Sequence, residues 1–160
     1  MSPNAYLDAH APDLVALLQG MVRVPTVNPP GDHYDTITRM LTEELTAAGL
    51  KTRRFAIPRS LMKQHLPPEQ QAYPRYNVIG KLSARGAKKT LHINAHYDVV
   101  PVSGQWRHAD PFSGVVERGW IYGRGTADMK GSHAALLLAL RALKATGVRP
   151  LMNIEVSFTA

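Results

Sequence analysis

The chain has 160 residues, 44% hydrophobic and 19% charged, with 19 Lys and Arg against 12 Asp and Glu, a formal net charge of +7 and no cysteine. That allows one domain with a real core or part of a larger one, excludes disulfides and thiolate metal sites, and leaves His, Asp or Glu to hold any metal; a cytoplasmic location is the default. The charge raises nucleic-acid binding as a class, but the basic residues are scattered, the tightest clusters being Arg53-Arg54 and Lys88-Lys89 with no alternating aromatics, so a merely basic surface and no nucleic-acid partner are expected.

At the N-terminus, Asp8, His10 and Asp13 interrupt the first apolar stretch and no basic segment precedes it, so no signal peptide is expected. No later stretch approaches the ~18 apolar residues of a membrane span, and no membrane association is expected. Residues 12–23 have helical periodicity, with Leu14, Leu17, Leu18, Met21 and Val22 on one face. Val24–Asp32 ("VPTVNPPGD") is a turn-rich connection. Asp35 is the expected cap of a second helix, which carries Ile37, Met40, Leu41 and Leu45 on its apolar side and ends at Gly49. Lys51–Ile57 reads as a strand.

Residues 58–76 contain Pro58, Pro67, Pro68 and Pro74 and read as a long surface loop with one helical turn. Asn77–Ser83 and Thr90–Tyr97 are strands separated by a short turn, which predicts a hairpin. Residues 98–119 form a loop region with a short strand near Gly114–Glu117, and Trp120–Gly131 leads into a helix. From Ala134 to Leu143 that helix is apolar almost all round and therefore buried, with Gly147 to end it. Leu151–Ala160 is a final strand. Strands alternating with helices define an α/β class with a largely covered sheet.

The chemistry concentrates in two places. In Leu91–Val100 ("LHINAHYDVV"), His92, Asn94, His96 and Asp98 alternate with apolar residues, so they share one strand face while Leu91, Ile93 and Ala95 pack on the other. An imidazole serves best as a metal ligand when a carboxylate ties its other nitrogen, and His-x-Asp offers that pair locally; the tripeptide alone is also a common accident. In Gly123–Gly131 ("GRGTADMKG"), two glycines permit a close approach to the helix that follows, and Asp128 at its start is either a cap or a ligand. The third glycine of a dinucleotide fingerprint, a P-loop and a Gly-x-Ser-x-Gly elbow are all missing. His92 and Asn94 are expected in hydrogen-bonded structural roles, His108 and His133 in solvent or packing, and Lys130 as a solvated charge. Trp106 and Phe112 either line a cleft or anchor a loop.

In this order and spacing, His96–Pro101 ("HYDVVP"), Trp106, Asp110–Phe112 ("DPF") and Gly123–Gly131 resemble one family. It is the zinc metallohydrolase and metallopeptidase family of acetylornithine deacetylase, succinyl-diaminopimelate desuccinylase, aminoacylase and glutamate carboxypeptidase. Val22–Gly31 ("VRVPTVNPPG") and Asn77–Leu82 ("NVIGKL") fit it too, while Ala95 departs from the glycine that commonly precedes the histidine. The resemblance implies an α/β fold with a mixed sheet flanked by helices, zinc-exopeptidase-like. It implies that His96 ligates one metal ion, that Asp128 bridges two, and that Asp98 orients His96 without binding metal. The Asp128–Met129 peptide is expected to be cis. Two Zn2+ ions, with Co2+ or Mn2+ as alternatives, would activate water for attack on an amide carbonyl, with a glutamate carrying the proton.

In the family, an adjacent glutamate pair, one the proton carrier and one a ligand, follows a phrase like "SFTA", which here is Ser157–Ala160. The expectation is therefore that residues 1–160 are the incomplete N-terminal half of a catalytic domain, lacking the later ligands and the lid and dimerisation domain. Alone, the chain would bind metal weakly and hydrolyse negligibly. A complementing C-terminal portion is an expected partner, and the full-length enzyme would be a homodimer. The function expected is deacylation of small N-acyl amino acids. The alternatives are a metallo-exopeptidase (carboxypeptidase or dipeptidase) and a non-catalytic interaction module.

Overall fold

The structure is a computed structural model describing residues 1–160. Helices α1 (Pro3–Ala9), α2 (Ala11–Val22) and α3 (Tyr34–Ala47) come first, followed by strand β1 (Lys51–Ala56). Then come helix α4 (Arg59–His65) and strands β2 (Tyr76–Leu82), β3 (Thr90–His96), β4 (Val115–Glu117) and β5 (Trp120–Tyr122); helix α5 (Gly131–Thr146) and strand β6 (Asn153–Thr159) complete the order.

Strands β1, β2, β6 and β3 form one sheet in that order, antiparallel except for the parallel β3–β6 pair. The expected hairpin does not form, because β6 lies between β2 and β3. A hairpin needs only a short turn, whereas the parallel β3–β6 pair needs a long crossover, and α5 supplies it. Asn153 ties the junction: its side chain accepts from the Ala84 backbone N–H at 2.9 Å, and its own N–H donates to the Lys89 carbonyl at 3.0 Å.

The alternation of β6 decides what each sheet face meets. Ile154, Val156 and Phe158 join Leu17, Met21, Ile37, Leu41, Leu45 and Leu137 in one buried core. The opposite face of β6 carries Glu155, paired with Lys81 at 2.6 Å, and Ser157. Helices thus cover the apolar face, and the other face is polar rather than largely covered. The β3 pattern is looser than expected: Ala95 is buried, but Leu91 is 46% exposed because β3 is an edge strand.

Helix α3 begins at Tyr34, and Asp35 does not cap it. The Asp35 carboxylate instead accepts from Arg39 at 2.7 Å and from Arg54 on β1, whose guanidinium also covers the Tyr76 ring. Half of the Arg53-Arg54 cluster is therefore engaged within the fold. Residues 58–76 are more ordered than a loop with one turn: α4 spans seven residues and buries Met62. The short strand expected near Gly114–Glu117 is β4, and it pairs with β5 in a hairpin over residues 115–122, with left-handed backbone at Arg118 and Gly119, before the chain leads into the helix.

Candidate metal centre

His96 ends β3, and Asp98 follows in the next turn. The His96 Nδ1 lies 3.1 Å from both the Asp98 Oδ1 and the Asp98 carbonyl. Both partners only accept, so Nδ1 carries a proton. The Nε2 faces Asp128 Oδ1 at 3.0 Å. The three residues singled out in the sequence therefore converge. They line a cleft of about 210 Å3 together with Gly123, Gly125 and Thr126.

Asp128 sits on a wide turn, residues 126–130, that leads into α5. Its backbone (φ −124°, ψ 96°) is extended rather than helical, and the Asp128–Met129 peptide is cis, as the resemblance implies. Asp128 is thus not the cap of a regular helix. Its side chain is 86% exposed, so its carboxylate opens onto the cleft. Gly125 makes the approach possible: its φ is +87°, and a Cβ there would meet Val99 Cγ1 at 2.6 Å. The His96 backbone N–H points to the Met129 sulfur at 3.4 Å, which joins the two halves of the site from behind.

Burial of His96 opposes its charged form, but the hydrogen bond to Asp128 and the charge of Asp98 outweigh it and raise the imidazole above its ordinary value. The same two carboxylates would favour a cation between them. An imidazole nitrogen whose ring partner is a carboxylate, beside an open carboxylate, is the donor chemistry of a divalent-metal site. His96 and Asp128 suit two positions of such a coordination shell. No group of three or more His, Cys, Asp or Glu is placed to hold a metal ion together, here or elsewhere in the chain.

The remaining polar residues sort clearly. Ser157 Oγ donates to Asn94 Oδ1 at 2.9 Å and lies 2.8 Å from His92 Nε2, a ladder that ties both residues to the polar sheet face outside the cleft lining. His133 is buried against Phe158, with Nδ1 on the Met129 carbonyl at 2.8 Å. His108 packs edge-on to Tyr122. Trp106 lies under the Arg124 guanidinium, and its indole N–H donates to the Ser103 carbonyl at 3.2 Å, so it anchors the loop beside the cleft. The largest cleft, about 390 Å3, lies at the ends of α3 and α5 beside Gly49 and Gly147 and holds no acid or imidazole, so the chemistry sits in the smaller one.

Two residues were misread or missed in the sequence. Lys130 is not solvated: it is 1% exposed, and its ammonium donates to the Met21 and Val24 carbonyls. Asn28 carried no signal of its own, yet its amide donates to Asp98 Oδ2 at 3.1 Å. Only the closeness of a segment some 70 positions away in sequence reveals it.

Fold and site together describe an α/β chain in which one imidazole meets two carboxylates at a cleft. Residues 92–160 match the model of Peptidase family M20/M25/M40. The chain is 35% identical over 138 residues to a succinyl-diaminopimelate desuccinylase from Methylobacterium nodulans, covering 85% of this chain and 31% of that protein. Among solved structures it is similar to human carnosine dipeptidase 1 (TM-score 0.78, 24% identity, 97% of this chain and 33% of that one). It is also similar to an M20 family metallo-carboxypeptidase from Sulfolobus solfataricus (TM-score 0.72, 27% identity, 91% and 30%). The chain is therefore similar to the M20/M25/M40 peptidases, a family of hydrolases, and the resemblance read in the sequence holds. It spans about a third of the length of the curated relatives it matches.

Proposed function

We propose that these 160 residues supply one corner of the active site of a metal-dependent amide hydrolase acting on small N-acyl amino acids, as a desuccinylase or deacetylase would. The observation that carries the reading is the His96–Asp98–Asp128 cluster, with one imidazole nitrogen tied to a carboxylate and the other facing an open one. His96 Nε2 and Asp128 would hold a divalent cation, Zn2+ first and Co2+ or Mn2+ next, while Asp98 keeps the imidazole proton on Nδ1. A cation held there would supply Lewis acidity toward water and an amide carbonyl. The chain's own part is to fix the His96 ring, present the Asp128 carboxylate and shape the cleft wall with Gly123 and Gly125.

Carboxypeptidase or dipeptidase action is the second reading, favoured by the likeness to the Sulfolobus solfataricus structure. Residues 1–160 as the N-terminal portion of a catalytic domain, activity that needs further ligands, and a cytoplasmic location belong to the same proposal.

The test is a chimera in which residues 1–160 replace the matching segment of the Methylobacterium nodulans desuccinylase. Chelator-sensitive release of acid from N-succinyl or N-acetyl amino acids is expected, and its loss on His96→Gln or Asp128→Asn. Full activity retained by both variants would overturn the assignment.

A further inference from the structure

The connection Thr26–Asn28 packs directly against the turn that carries His96 and Asp98. Thr26 Oγ1 donates to the Tyr97 carbonyl at 2.7 Å, the Val99 N–H donates to the Thr26 carbonyl at 2.9 Å, and the Asn28 N–H donates to the Val99 carbonyl at 2.8 Å. These bonds seat the backbone. One further bond reaches the chemistry: Asn28 Nδ2 donates to Asp98 Oδ2 at 3.1 Å, while Asp98 Oδ1 is the oxygen facing His96. Behind it, both terminal nitrogens of Arg75 approach Asn28 Oδ1 at 3.5 Å. Arg75 is 6% exposed and has no carboxylate partner. Its guanidinium lies over the Tyr34 ring and is held by the Pro30 carbonyl at 2.9 Å and Gln70 Oε1 at 3.0 Å.

We infer that Asn28 is a positioning residue for the candidate metal centre, holding Asp98 so that its Oδ1 keeps the His96 proton on Nδ1, with Arg75 fixing the amide. The chemistry of the row explains why an amide stands here. Arg75 can only donate and an ionised Asp98 can only accept, and an amide offers an acceptor to one and a donor to the other within a single plane. The same pattern assigns the amide orientation without ambiguity. A direct Arg75–Asp98 pair would be bidentate and would draw both carboxylate oxygens away from His96. With the amide between them, the carboxylate stays aligned and one oxygen stays committed to the imidazole. The contacts at 3.5 Å are long, so Arg75 acts by orienting the amide dipole rather than as a strong hydrogen-bond donor.

This inference rests on the proposed metal-site reading, but its first readout does not require metal. In the 160-residue chain, 15N–1H long-range correlation of the His96 ring at pH high enough to neutralise it reports which nitrogen carries the proton. Asp98 and Asp128 compete for the proton of the neutral ring, so the wild type is expected as a mixture of Nδ1–H and Nε2–H forms, with Asn28→Ala and the near-isosteric Asn28→Asp shifting the balance toward Nε2–H. Thr26→Val removes a bond to the same turn without touching Asp98 and is expected to leave the ring as in the wild type. Zinc affinity should then fall about tenfold or more in the Asn28 variants, the usual loss when the partner of a metal-bound histidine is disturbed. Wild-type tautomer in both Asn28 variants would overturn the inference, as would an equal shift in Thr26→Val, which would make Asn28 one more backbone anchor. If the chimera with the Methylobacterium nodulans desuccinylase keeps full activity in His96→Gln and Asp128→Asn while the tautomer result holds, the positioning stands and the metal reading fails.

Discussion

The Lys130 ammonium lies 2.7 Å from the Val24 carbonyl, and its other bond, at 3.0 Å, goes to Met21. This buried cation closes the end of α2, where carbonyls lack helical partners and carry partial negative charge. It also pins the turn bearing Asp128 to the helix beneath it. Burial pushes the lysine down to about 8. Lys130→Met keeps the length of the side chain but removes the ammonium from two carbonyls, which keep only the Val24 and Thr26 backbone N–H groups as donors. A loss of about 1–3 kcal/mol in urea unfolding is expected. A variant as stable as the wild type would show that water replaces the ammonium at no cost.

His133 sets a pH dependence of stability. Burial pushes it down to about 4, while the Met129 carbonyl partly offsets the shift. Above its ordinary value, near 6.5, the ring is neutral in both folded and unfolded chains. As the pH falls from there toward 4, the unfolded chain binds a proton that the folded one refuses, so stability is lost on acidification. The gap corresponds to a loss of up to about 3 kcal/mol. In His133→Phe, denaturant midpoints at pH 7.5 and pH 4 should differ less than in the wild type. An unchanged difference would place the acid sensitivity elsewhere.

Gly125 is required for two reasons at once. Its φ of +87° disfavours any side chain, and a Cβ would stand 2.6 Å from Val99 Cγ1. Left-handed backbone at a non-glycine residue costs about 1–2 kcal/mol before the clash is counted. Gly125→Ala should therefore lower stability by about 2 kcal/mol or more, with chemical-shift changes centred on Val99 and residues 126–130. Gly104, also at positive φ but with nothing near its Cβ, is the control, and Gly104→Ala should cost only the backbone term.

Metal binding by the 160 residues should be weak, because two donors face the cleft where a stable zinc site has three or four protein ligands. Calorimetric titration with Zn2+ is expected to show at most one weak event per chain, abolished in His96→Gln and in Asp128→Asn. Asp98→Asn should weaken it about 10–100-fold without removing a donor. Tight uptake of two ions per chain would contradict the reading.

Much of the architecture was legible in the sequence because it is local. The periodic apolar faces of α2 and α3, the largely apolar α5 and its glycine end each depend on residues a few positions apart, and they appear where the pattern places them. His96, Asp98 and Asp128 were legible for a related reason, since the spacing that marks them lies within two short stretches. What the sequence could not decide is which distant segments meet. Strand β6 enters between β2 and β3, so a reading from neighbours alone predicts a hairpin that the sheet does not contain. Lys130 looks like a surface charge until α2 lies beneath it, and Asn28 looks like a turn residue until Asp98 stands 3.1 Å away. Those assignments belong to tertiary structure because a side chain's burial and its hydrogen-bond partners are set by long-range packing, which local propensity does not encode.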